Sequence, residues 1–190
     1  MSTLYFVRHG RSEANEKRIW GGDTPLVELG REQARSLQGR LPEEPDKIVC
    51  SGLKRVKETA AIAYPQKYIE VNEAFNEVQV GSINMHPMTK ETIAFYHEDT
   101  EAFQRKYDGE DLGERAEGAL KEIVKYAKEY DTVVIFLSNT LLRCIITLIE
   151  GKTFLETRKY YIKNCEIVKM AYEDEELVIT DRSAITLIDV

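Results

Sequence analysis

An imidazole and a guanidinium stand side by side at Arg8-His9, followed at once by Gly10. Neutral imidazole is a good nucleophile and can carry a phosphoryl group. Guanidinium is permanently charged, and its planar fork of donors suits phosphate oxygens better than an ammonium does. A second guanidinium, Arg55, ends the run Cys50-Ser51-Gly52-Leu53-Lys54-Arg55 and is followed by Glu58-Thr59-Ala60. Asn15 offers an amide, and Glu77 offers a carboxyl group just before Val78-Gln79-Val80-Gly81. A phosphomonoester dianion needs charge neutralisation, a nucleophile in line with the leaving oxygen, and a proton for that oxygen. These residues supply all three. Each also has a plainer reading. His9 suits a turn, Arg55 a solvated helix face paired with Glu58, Asn15 a loop cap, and Glu77 a surface acid beside Glu73.

The elements that must position them can be read from hydrophobic periodicity. Residues 3–8 read as a buried strand that delivers Arg8 and His9 to its carboxyl end, where ligands bind in open α/β sheets. Residues 28–40 read as a helix with Leu29, Ala34 and Leu37 on one side. Residues 46–50 form a short strand after Pro42 and Pro45, and 53–63 a helix with Val56, Ala60 and Ala63 inward, bounded by Pro65. A short strand is expected at 68–71. Residues 114–130 make an amphipathic helix through Ala116, Leu120, Ile123, Val124 and Ala127. Residues 132–137 form a buried strand and 141–150 a helix that stops at Gly151. Two further strands, 165–172 and 176–180, are joined by the acidic turn Glu173-Asp174-Glu175. Such alternation predicts an α/β fold, a three-layer sandwich with a mostly parallel central sheet flanked by helices.

The segment from Leu4 to Asn15 resembles the opening of the histidine phosphatase superfamily, also called phosphoglycerate mutase-like. The resemblance continues through Asp23-Thr24-Pro25-Leu26 with Leu29-Gly30-Arg31-Glu32-Gln33-Ala34, through Cys50 to Ala60, and through Asn76 to Gly81. It implies a single domain over residues 1–190, with His9 as the phosphorylated nucleophile and Glu77 as the general acid. Arg8, Arg55, Asn15 and Asn139 would bind the phosphate. No metal or cofactor is implied. The family carries a second His after the strand near its C-terminal third. Here that strand runs into Ser138-Asn139-Thr140, so Asn139 stands at that position, and the usual following Gly is missing. Asn can still donate one amide hydrogen bond but carries no charge, and loss of one preorganised donor costs about 10²–10³ in rate.

Residues 82–111 hold Pro87, His86 and His97 amid mixed charge, and read as a lid-like insertion of loop and one or two helices. Relatives have a Trp-Glu-Gly-like run after Gly81; here it is Ser82-Ile83-Asn84-Met85. Trp20, in a loop about two residues shorter than in relatives, either meets an apolar leaving group or packs. The leading expectation is a phosphomonoesterase of reduced activity, acting on a phosphorylated small molecule. The alternative is an inactive relative that recognises a phosphorylated ligand, and a phosphoglycerate mutase ranks third.

The 190 residues carry a formal net charge of −7, with 31% charged and 43% hydrophobic residues. That is an ordinary globular composition, and its sign disfavours nucleic acid, which demands a basic footprint. Any phosphate site must therefore concentrate its cations locally. Three Cys with no paired spacing, Cys50, Cys144 and Cys165, read as reduced thiols of a cytoplasmic protein. No signal peptide and no apolar run near the roughly 20 residues of a membrane span is visible, so no membrane partner is expected. His86 and His97 lack further ligands at metal-binding spacing. Oligomeric state is not written in the sequence.

Overall fold

The computed structural model describes residues 1–188. A six-stranded sheet forms its centre, in the order β3-β2-β4-β1-β6-β7. Four strands are parallel: β1 (Ser2–Arg8), β2 (Lys47–Cys50), β3 (Glu70–Val71) and β4 (Thr132–Leu137). The hairpin of β6 (Ile167–Glu173) and β7 (Glu176–Asp181) extends the sheet antiparallel from β1. A separate two-residue ladder pairs β5 (Tyr160–Tyr161) with β8 (Thr186–Leu187).

Successive side chains of a strand point to opposite faces, and the central strands feed two cores in alternation. Leu4, Phe6, Val133, Ile135 and Leu137 join one hydrophobic cluster. Val7, Val134 and Phe136 join the other. The first is covered by α6 (Leu112–Glu129) and α7 (Asn139–Ile149), the second by α2 (Glu28–Arg35) and α3 (Lys54–Ala63). This is the three-layer arrangement the alternation of elements implies. A third cluster, Trp20, Ile83, Tyr96 and Phe103, lies apart from both. It belongs to α4 (Lys90–Glu98), α5 (Thr100–Lys106) and the loops around them.

Some elements differ from the sequence reading. The helix expected to reach residue 40 ends at Arg35, because Leu37, Gln38 and Arg40 bond three residues back and tighten the chain into turns. Its buried line is Gly30, Ala34 and Leu37, while Leu29 is 49% exposed. The register is set by Gly30, whose hypothetical Cβ would lie 2.1 Å from the Arg11 carbonyl oxygen. Only a glycine allows the backbones to meet so closely. In α6 the buried stripe is Ala116, Ala119, Ile123, Tyr126 and Ala127, and Leu120 and Val124 sit at its half-buried margin. The one-turn helix α1 (Glu13–Lys17) lacks a long periodic pattern and escapes the sequence reading. No helix among the described residues is long and apolar enough to cross a membrane.

Candidate active site

The carboxyl ends of β1, β2, β3 and β4 lie side by side, and the segments that leave them bring together Arg8, His9, Asn15, Arg55, Glu77 and Asn139 around one cavity of about 190 Å³. All six site residues named from the sequence line it.

His9 is 2% exposed. Its Nδ1 lies 2.7 Å from the Gly10 carbonyl oxygen, and its Nε2 receives a hydrogen bond from Arg55 Nε at 3.1 Å. A carbonyl can only accept, so Nδ1 carries the proton; Arg55 can only donate, so Nε2 holds a lone pair. Two independent partners thus select the same neutral tautomer. Burial, reinforced by the charges of Arg55 and Arg8, pushes the His9 pKa well below its ordinary value, against the Gly10 hydrogen bond that raises it.

The frame around the ring closes on itself. Gly10 N donates to Thr59 Oγ1 at 3.0 Å, and the same hydroxyl donates to the Arg55 carbonyl at 2.7 Å. Asn164 Nδ2 donates to the His9 carbonyl at 2.8 Å. A Cβ on Gly10 would lie 2.4 Å from the Gly30 carbonyl oxygen, so the turn after His9 is pressed against α2.

Arg55 does not pair with Glu58. That acid accepts from Arg31 Nε at 2.6 Å and from Leu26 N at 2.9 Å. Arg55 faces inward, with Nη1 donating to the Gly22 carbonyl at 2.6 Å and Nη2 reaching Ser138 Oγ at 3.4 Å. Burial lowers its pKa, while Glu77 and Asp23 hold it up. Arg8 is 9% exposed and lowered to about 10, chiefly by burial. One of its terminal nitrogens donates to the Ile162 carbonyl, and its Nε is buried without a partner among the described residues. A buried donor with no acceptor is costly unless an anion arrives.

Asn15 does cap a helix: Ser12 N donates to its Oδ1 at 3.2 Å in a capping box at the start of α1. That use of the oxygen leaves the amide nitrogen as the end available to a ligand. Asn139 opens α7, and its Oδ1 is buried without a partner among the described residues. Glu77 is not a free surface acid. Its Oε1 accepts from Val78 N at 3.1 Å and Leu141 N at 3.0 Å, and its Oε2 from Thr140 N at 3.1 Å. The carboxylate therefore caps α7 from outside the helix, where the helix dipole favours negative charge.

Trp20 packs, with ring centroids 4.8 Å from Phe103 and 5.3 Å from Tyr96 and its Nε1 donating to Thr92 Oγ1 at 3.2 Å, yet it also lines the cavity. Thr59 lies inside a run the sequence singled out. Ser138 stands in the Ser138-Asn139-Thr140 segment that the sequence also singled out, whereas Asn164, Tyr96 and Gln104 carried no signal, because each is placed by tertiary packing from a segment without a motif. Among the described residues no group of three or more His, Cys, Asp or Glu could hold a metal ion. All three cysteines are free and buried, and burial raises the pKa of each, that of Cys144 to about 12.

A mostly parallel sheet between helical layers, with an imidazole and two guanidinium groups converging where its strands end, defines an α/β protein with a cation-lined cavity at its strand ends. Residues 4–184 match the family model for the histidine phosphatase superfamily (branch 1), and the chain belongs to that family. It is 33% identical over 105 residues to the adenosylcobalamin/alpha-ribazole phosphatase of Salmonella typhimurium (strain LT2), a match covering 53% of this chain and half, 50%, of that protein. It is 25% identical to a probable phosphoglycerate mutase of Enterobacter sp. (strain 638), covering 92% of this chain and 86% of the relative. The solved structure of Bacillus stearothermophilus YhfR superposes with a TM-score of 0.82 at 24% identity, over 98% of both chains, a likeness of fold.

Proposed function

We propose that this chain is a phosphomonoesterase that works through a phosphohistidine on His9. The observation that carries the proposal is the His9 ring, held neutral with its Nε2 lone pair toward Arg55 at the wall of the cavity. A bound phosphoryl group takes the place of the ring as acceptor for Arg55, and Arg8 Nε gains the partner it lacks. Nε2 attacks phosphorus, the ester bond breaks, and Glu77 passes a proton to the departing oxygen. Glu77 then takes a proton from water as that water attacks the phosphohistidine, releasing inorganic phosphate and restoring the ring. The guanidinium pair supplies the charge stabilisation that such a transfer requires. Residues 82–111 serve as a lid, since Met88, Tyr96 and Gln104 wall one side of the cavity. Membership of a family that includes named phosphatases supports the reading.

Replacing His9 with Ala is expected to abolish hydrolysis of an aryl phosphate while the unfolding temperature shows the fold intact. Unchanged turnover in that variant ends the mechanism.

A second reading is a catalytically inactive phosphate-binding relative. Asn139, at the position where relatives carry a second His, favours it, as does the Glu77 carboxylate, engaged by three backbone N–H groups. The two readings separate on Asn139→His. A weakened phosphatase gains about 10²-fold in kcat from the restored donor. A binding protein gains nothing and shows only phosphate-dependent thermal stabilisation.

A further inference from the structure

The cavity is built from two unlike halves. The strand-end half contributes its charged groups, Arg8, Arg55 and Glu77. The other half, from the loop before Gly21, from Val80 and from the segment proposed as a lid, contributes Ile19, Trp20, Val80, Met88, Tyr96 and Gln104, none of which is charged. Gln104, the amide among them, is 4% exposed and held through Nε2, which donates to the carbonyls of Gln79 and Glu110 at 3.1 Å each. Tyr96 is 8% exposed, and burial raises its pKa, so it too enters the wall as a neutral group.

The charges limit what can occupy that second half. Two guanidinium groups balance a phosphate dianion once Glu77 holds the proton it is to donate. A carboxylate or second phosphate on the leaving group meets no cation in the lining and is stripped of water beside aromatic and aliphatic side chains. An isolated ionised group in such surroundings is strongly disfavoured. Size limits it further. The cavity of about 190 Å³ is smaller than the roughly 300–1,000 Å³ of sites for drug-sized ligands, and the phosphate takes part of it.

Resting on the phosphatase reading, we infer that the substrate is the monophosphate of a small, uncharged alcohol with an apolar face. Phosphate esters of hydroxy acids and bisphosphates are excluded by the lining. Trp20, Val80 and Met88 are the specificity-determining residues.

The test compares two pairs of compounds that differ by one carboxylate. Phenyl phosphate and 4-carboxyphenyl phosphate report turnover. Benzylphosphonate and 4-carboxybenzylphosphonate, which cannot be hydrolysed, report binding by calorimetry on the same protein. The uncharged member of each pair is expected to be favoured about tenfold or more, in kcat/KM and in Kd. Met88→Lys, which places a cation in the apolar half, is expected to shrink or reverse that ratio. Equal or tighter binding of the carboxylated phosphonate, or binding of neither, overturns the inference. Selective binding without turnover of either ester leaves the leaving-group preference standing and sinks the phosphatase reading. Turnover of both esters at equal kcat/KM does the opposite.

Discussion

His9 gives the site its pH behaviour as well as its chemistry. Its folded-state pKa lies well below 6.5, so above pH 6.5 the ring is neutral in both folded and unfolded chains and contributes no pH dependence. As pH falls below that value the unfolded chain takes up a proton that the folded one refuses, and stability is lost progressively until the folded pKa is reached. The unfolding temperature of the wild-type protein should thus fall more steeply between pH 6.5 and 5 than that of a His9→Gln variant. Parallel curves would show that the ring is not the group being strained. The same residue shows what the sequence could reveal. Arg8-His9-Gly10 names itself, because the turn and the chemistry are local. The Asn164 amide on the His9 carbonyl and the Thr59 hydroxyl on Gly10 N come from 155 and 49 residues away. Side chains that act through such distance leave no local spacing to read.

Helices α3 and α7 carry Arg55 and Asn139, and neither has a side-chain cap of its own. Leu53 and Ser138 occupy the cap positions without a capping hydrogen bond. Acids from elsewhere fill the role: Asp23 Oδ1 accepts from Lys54 N at 2.6 Å, and Glu77 accepts from Thr140 N and Leu141 N. This explains why the last helix was legible from Leu141 but begins at Asn139 in the structure: its start signal lies 62 residues upstream. It also couples stability to function. Removing the α3 cap in Asp23→Ala should cost about 1 kcal/mol, seen in urea denaturation, and should raise KM by shifting Arg55 at the start of its helix. A variant with the lowered stability but unchanged KM would separate the cap from the site. Strands β1, β2 and β4, by contrast, were legible almost to the residue, because burial on both faces makes their apolar runs continuous, while the half-exposed β3 keeps only Glu70–Val71 of the strand expected over 68–71.

Across the whole molecule, β4 ties the two cores together. Val133, Ile135 and Leu137 enter one core, and Val134 and Phe136 enter the other, all fully buried. Phe136 also accepts from Ser51 N, at the base of the segment that leads to Arg55. Phe136→Ala should cost about 3–5 kcal/mol in equilibrium unfolding, and a loss under 1 kcal/mol would mean that the helices over this face collapse to fill the gap. The cluster around Trp20 stands outside this arrangement. It has its own small core, and the Trp20 loop is stitched to the neighbouring segment by backbone bonds: Trp20 N to the His86 carbonyl at 2.9 Å, Met85 N to the Trp20 carbonyl at 2.8 Å, and Met88 N to the Arg18 carbonyl at 2.7 Å. Such bonds depend on the main chain and tolerate a change of side chain. Mutation can therefore remodel the wall that meets the leaving group while the two large cores and the imidazole stay as they are, so new substrate preferences lie within a few substitutions and leave the reaction intact.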